Sequence, residues 1–126
     1  EQFVRWIQQQ EWYDNTTVII MGDHTSMVAD FWDDIGDFKR KMYNCFINLP
    51  EGTATQNIKY RNVTTIDIFP TTLAALGVEI DGDRLGLGTN AFSDRQTLIE
   101  ELGDEIFNAE LKKYSKYYND VFVKGE

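Results

Sequence analysis

The sequence runs to 126 residues, the length of one domain or a piece of one, and is 42% hydrophobic and 26% charged, the balance of an ordinary globular chain. Eight Phe, six Tyr and three Trp supply enough apolar area to exclude an intrinsically disordered chain. A formal net charge of -9 repels phosphate backbones and anionic membrane surfaces, so nucleic acid is excluded as a partner, and the single cysteine, Cys45, excludes an internal disulfide and a cysteine-based zinc motif.

Residues 1 to 12 read as an amphipathic helix, with Phe3, Trp6 and Ile7 at helical spacing among Gln, Arg and Glu. The chain opens at Glu1 inside this helix, has no run of transmembrane length and no signal peptide, and is read as an excised part of a longer protein. Tyr13-Asp14-Asn15 forms the turn that follows. Thr16 to Met21 (TTVIIM) is short, β-branched and continuously apolar, the pattern of a strand buried on both faces of a parallel sheet. A helix feeding such a strand is half of an α/β unit.

Met27 to Lys41 reads as loop or short helix, and Met42 to Leu49 as a second strand stopped by Pro50 and Gly52. Glu51 to Asn57 is a polar loop. A helix is predicted from Thr65 to Leu76, capped by Thr64 or Thr65, with Asp67 near its positive end, Pro70 in its first turn or so and Gly77 as its left-handed C-terminal residue. Asp81-Gly82-Asp83 is a tight turn, and Leu85 to Gly88 is too glycine-rich for regular structure. Ser93 or Asp94 is expected to cap a short helix through Leu102. Asp104 to Asn119 is expected to form a final helix, with Ile106, Phe107, Leu111, Tyr114 and Tyr118 on one apolar face.

Asp23 and His24 follow the TTVIIM strand at its carboxyl end, where open α/β sheets bind their ligands. A carboxylate and an imidazole suit a divalent metal such as Zn or Mn. Neighbouring residues on a continuing strand point to opposite faces, so both can face one ion only if the chain leaves the strand first, a bend that Gly22 makes easy. His24 is the only histidine. The competing reading is a turn-capping aspartate beside an ordinary histidine.

Several other residues carry weaker signals. Asp30, Asp33, Asp34 and Asp37 lack the spacing of an EF-hand loop and read as a solvated acidic surface. Thr25 and Ser26 suit helix capping better than substrate contact. Arg40, Arg61 and Arg84 can meet phosphate, but surface ion pairs are their default use. Cys45 reads as a buried strand cysteine.

TTVIIMGDHTSM, YNCFINLP and TTIDIFPTTLAALGVEIDGDRLGLGTNAFS, taken in order, resemble the C-terminal part of the sulfatase-like enzymes of the alkaline phosphatase superfamily. Within these the segments are most similar to the phosphoglycerol transferases, the group that includes lipoteichoic acid synthase. The resemblance covers most of residues 12 to 95 and implies an α/β fold with a mostly parallel sheet flanked by helices. It implies that Asp23 and His24 are metal ligands, with Mn²⁺ first and Zn²⁺, Mg²⁺ or Ca²⁺ as alternatives. The acidic partner ligand and the nucleophile would lie before Glu1, which leaves no catalytic residue in this chain and an inactive fragment. The implied parent performs two-step substitution at phosphorus on a lipid or glycan phosphodiester, such as a phosphatidylglycerol-type head group. It would act at the extracytoplasmic face of a bacterial cell membrane, anchored through an upstream region. A sulfatase or phosphodiesterase of the same superfamily, and a non-catalytic binding module that keeps the fold, remain alternatives. A chain cut from such a sheet has an uncovered strand edge and is expected to self-associate.

Overall fold

The computed structural model describes residues 1–25, 27, 36, 41–53 and 58–125. The expected loop or helix over 27–41 and the polar loop over 51–57 lie largely outside these residues. The fold is a mixed α/β arrangement of helices and two small antiparallel sheets.

Helix α1 (Gln2–Ile7) is shorter than its sequence pattern, and a 3-10 turn over Tyr13–Asn15 follows it. Only Ile7 of α1 is buried; Trp6 stacks on Phe3 and meets Trp12 edge-on at 6.2 Å, so the aromatic stripe packs mainly on itself. Strand β1 (Val18–Met21) pairs with β2 (Asn44–Ile47), Val18 opposite Ile47 and Met21 opposite Asn44. The pairing is antiparallel, and β1 grades from half-buried to exposed rather than being buried on both faces. An apolar run encodes a demand for cover on two faces, but it does not encode strand direction, and among the described residues β1 has a single neighbour.

The ends of this ribbon are pinned by side chains. Asn48, at φ +58, donates from its amide to the carbonyls of Tyr13 (2.7 Å) and Thr16 (2.9 Å). Asparagine tolerates that left-handed backbone better than most residues. Thr17 donates its hydroxyl to Asn48 O at 3.1 Å and to Ala75 O at 3.3 Å, tying β1 to the next helix.

That helix, α2, spans Thr65–Ala75. At its start the Thr64 N–H and hydroxyl both donate to Asp67 Oδ2 at 2.8 Å, which satisfies groups a helix N-terminus leaves open. At its end Gly77 adopts φ +80; its N–H reaches Ala74 O at 2.9 Å and the Val78 N–H reaches Leu73 O at 3.0 Å, a complete Schellman closure. Pro70 sits in the middle of the helix, not in its first turn. A proline there cannot donate to Ile66 O four residues back. Gly88 approaches that carbonyl instead: a Cβ on Gly88 would lie 2.1 Å from Ile66 O, so only a glycine hydrogen fits.

Gly88 belongs to a hairpin of β3 (Arg84–Leu85) and β4 (Gly88–Thr89), which corrects the expectation that Leu85 to Gly88 is irregular. Gly86 at φ +61 turns the two-residue loop, so the glycines make the hairpin tight rather than preventing it. The Asp81–Asp83 turn is present as a 3-10 turn. Beyond β4, Phe92 is 1% exposed and packs with Ala74 and Ala75 in the core, edge-on to Phe46 of β2 at 5.2 Å. Ile19, Leu49 and Ile58 complete that core.

Helix α3 (Leu98–Leu102) is capped by Thr97, not by Ser93 or Asp94: Glu100 N–H donates to Thr97 Oγ1 at 3.3 Å and Thr97 N–H to Glu100 Oε2 at 2.9 Å. The expected single final helix is three pieces: α4 (Asp104–Leu111), α5 (Lys116–Tyr118) and a π-helical turn over Asn119–Lys124. The run stops at Leu111, and the Ser115 hydroxyl then accepts the Tyr118 N–H at 3.1 Å, which starts a new helix. Of the predicted apolar face only Phe107 is buried.

The chain exposes 9689 Å², well above the roughly 6,900 Å² of a compact monomer of 14.6 kDa. Ile20 and Met21 of β1 are among the exposed apolar residues, beside an edge of the strand that is unpaired among the described residues. Self-association that covers this face is the expected outcome, and light scattering that finds a monomer at high concentration refutes it. A second expectation concerns Asp67, 2% exposed, whose Oδ1 accepts the buried Thr89 N–H at 2.8 Å. Asp67→Ala strands that donor and the α2 start, and should lower unfolding stability by about 3 kcal/mol in a urea titration.

Candidate metal centre

Strand β1 ends at Met21, and the Gly22 N–H makes the last rung by donating to Tyr43 O at 3.0 Å. Asp23 and His24 follow in a bend, so the chain does leave the strand before the pair. The bend uses no positive φ at Gly22. A Cβ there would meet Met42 Cβ at 3.4 Å, an ordinary contact, so the glycine is convenient here without being required.

The two side chains converge. The His24 N–H donates to Asp23 Oδ1 at 2.9 Å, which folds the carboxylate back over the histidine. His24 Nδ1 lies 2.8 Å from Thr25 O. A carbonyl can only accept, so Nδ1 carries a proton. Nε2 stands 3.4 Å from Asp23 Oδ2, and both side chains are well exposed, 58% for His24 and 88% for Asp23. Two ligand atoms bound at about 2.0–2.1 Å to a tetrahedral ion stand about 3.4 Å apart. The pair therefore matches one edge of a zinc-like coordination tetrahedron. Among the described residues no group of three His, Cys, Asp or Glu assembles a fuller site. Asp30, Asp33, Asp34, Asp37, Ser26 and Arg40 lie outside the described residues.

A cavity of about 420 Å³ opens next to the pair, with Thr25 in its wall. The antiparallel ladder creates it: the residues leading into β2, Lys41 to Asn44, lie beside the carboxyl end of β1 and form one side. Ile68 and Thr71 of α2, Phe46 and Ile99 close the floor.

Arg61 also lines the cavity, yet its guanidinium is committed. It donates to Glu100 Oε2 at 2.7 Å and Oε1 at 3.3 Å, to Ala91 O at 3.0 Å and Ser93 O at 2.5 Å, and to Arg95 O. The ion pair is mostly buried, with side chains 12% and 17% exposed. Arg84 is likewise held, by Glu101 at 2.6 Å, Gln96 O at 2.9 Å and Thr89 Oγ1 at 3.0 Å. Neither arginine is a surface pair of the default kind; each staples the loop over 89–97 to its surroundings. Cys45 is half-buried in β2.

The sequence reading passed over Lys41 and Lys59 at the cavity mouth and Glu100 behind Arg61. Thr97 and Glu100 carry a legible sign, the Ser/Thr-x-x-Glu capping box. The lysines carry none, because nothing in a sequence says which loops share a cavity.

No protein-family model matches the chain, and searches of curated proteins and of solved structures find no match.

Burial, the largest single influence on Glu100, pushes its carboxyl up. The Arg61 hydrogen bond, the Thr97 N–H, the Arg61 charge and the Asn62 N–H together outweigh it and hold the group below the ordinary value of 4.5. A lowered folded-state value gives stability that is present above the ordinary value and lost as the pH falls through the folded one. Wild-type urea midpoints should therefore fall more steeply below pH 4.5 than those of Glu100→Gln. Parallel curves would show that this carboxylate does not contribute.

Proposed function

We propose that the chain is part of a metal-dependent phosphoglycerol transferase that acts on phosphatidylglycerol-type lipid head groups at the extracytoplasmic face of a bacterial cell membrane. The observation that carries the reading is the convergence of His24 Nε2 and Asp23 Oδ2 to 3.4 Å just beyond the carboxyl end of β1. The ordered resemblance of the flanking segments supplies the reaction class. In this reading β1 belongs to a larger, mostly parallel sheet, of which β2 is an antiparallel member, an arrangement common in large α/β sheets.

Asp23 and His24 would hold a divalent ion, Mn²⁺ first. Thr25 O fixes the histidine tautomer by accepting from Nδ1, an outer contact of the kind that orients metal-ligating imidazoles. Such an ion would supply charge neutralisation on phosphoryl oxygens and a lowered pKa for a hydroxyl nucleophile. The remaining ligand and the nucleophile would come from elsewhere in the parent enzyme; the nucleophile would take the phosphoglycerol group as the lipid alcohol leaves, and a second alcohol would then take the group and free the nucleophile. The 126-residue chain alone does not turn over a phosphodiester.

Calorimetric titration of Mn²⁺ and Zn²⁺ into the chain tests the metal claim. One-to-one binding is expected, weakened at least tenfold in Asp23→Ala and in His24→Ala and unchanged in Asp81→Ala, whose exposed turn lies elsewhere. Absent binding, or equal binding in all four proteins, refutes it.

A further inference from the structure

Charge and aromatic side chains are unevenly spread along this chain. Residues 112–124 hold four of the 12 Lys and Arg (Lys112, Lys113, Lys116 and Lys124) but only Asp120 of the 21 Asp and Glu. They also hold three of the six Tyr. The fold gives this stretch little to pack on, since neither α5 nor the π-helical turn contains a buried residue. Tyr114, Tyr117, Tyr118, Phe122 and Val123 are each more than half exposed.

The exposed side chains are nevertheless gathered. Phe122 stacks on Tyr118 with ring centroids 5.5 Å apart and meets Tyr117 edge-on at 6.3 Å. Asp120 draws Lys116 and Lys124 to the same turn, at 2.5 and 2.9 Å, so two ammonium groups stand on one carboxylate.

Aromatic rings beside lysines match the boundary between the acyl chains and head groups of a bilayer. A tyrosine ring enters that layer while its hydroxyl stays wet, and lysine stems lie along apolar surface with the ammonium among the anions. Each lysine near an anionic leaflet adds attraction that falls off within a Debye length. The repulsion of the chain's net charge of -9 is screened over the same range, about 8 Å at physiological salt. The surface in contact therefore decides the sign. No described helix is long and apolar enough to cross a membrane, so such a contact lies on the bilayer.

We infer that residues 112–124 form a contact surface for an anionic lipid bilayer, with Tyr117, Tyr118 and Phe122 entering the head-group boundary and the lysines meeting the anionic head groups. The contact uses no residue of the candidate metal centre and rests on neither the metal nor the transferase reading.

Flotation with vesicles of phosphatidylserine in phosphatidylcholine tests it, at physiological salt with EDTA present. Phosphatidylglycerol is left out, so neither a metal nor the proposed head-group substrate bears on the result. The full chain is expected to float with these vesicles and to bind phosphatidylcholine alone at least tenfold more weakly. Phe122→Ser should weaken binding at least tenfold, and Lys112→Gln about fivefold. Both side chains are exposed; Val123→Ser, also exposed, serves if the Phe122 variant does not fold. Absent flotation, equal binding to neutral vesicles, or full affinity in the aromatic or the lysine variant overturns the proposal. Sedimentation without vesicles reads the other occupant, a second copy of the chain. A monomer, or an association that persists in Phe122→Ser, leaves the surface free for lipid as proposed. An association that Phe122→Ser abolishes shows the surface covered by a second copy and overturns it.

Discussion

The carboxylate of Asp67 is the interaction on which the rest of the fold depends. It is buried to 2% exposure, and its two oxygens accept from the Thr64 N–H, the Thr64 hydroxyl and the Thr89 N–H. Three donors compensate a charge that would otherwise be too costly to bury. One oxygen starts α2 and the other docks β4 on it, so a local capping choice becomes a long-range contact. Thr71, one turn on, repeats the device: its hydroxyl donates to Asp67 O at 2.6 Å and accepts the Ala91 N–H at 2.9 Å. The two side chains lay residues 89–91 along the helix, and Gly88 then fits against the Ile66 carbonyl that Pro70 leaves open.

From this platform the positions of the other elements follow. Laying Ala91 on α2 puts Phe92 into the core, where Phe46 of β2 meets its ring. At the far end of α2, Ala75 O accepts from Thr17 and holds the start of β1. The β1–β2 ribbon is thus fixed at both strands, and its register sets Met21 opposite Asn44. The carboxyl end of β1 and the approach to β2 must then lie side by side. The Asp23–His24 pair and the lysine-rimmed cavity share that end of the ribbon for one topological reason.

What the sequence made legible is what a few neighbouring residues decide among themselves. The α2 helix, its Thr64 start and its Gly77 stop depend on contacts within a turn, and they stand where the sequence puts them. The pair's place after a strand is equally local. Strand direction depends on where the chain goes between 21 and 44, which periodicity does not encode. The mid-helix Pro70 and the glycine-rich hairpin each look wrong alone; together they fit, because Gly88 occupies the gap the proline creates. The final helix failed for the opposite reason. Its apolar spacing is real, but only Phe107 of that face is buried, and after the stop at Leu111 the Ser115 hydroxyl caps a separate helix.

The same accounting of donors separates the candidate ligand from Glu100 and Asp67. Glu100 accepts from Arg61, Asn62 and Thr97, and Asp67 from Thr64 and Thr89, so their oxygens are occupied by N–H and O–H groups that hold the fold. A cation competing for either must first break structure. Asp23 is placed differently: its Oδ1 takes the His24 N–H, while among the described residues Oδ2 meets only the histidine ring. With Nδ1 held by Thr25 O, Nε2 and Oδ2 stand at the 3.4 Å separation of two ligand atoms on one tetrahedral ion.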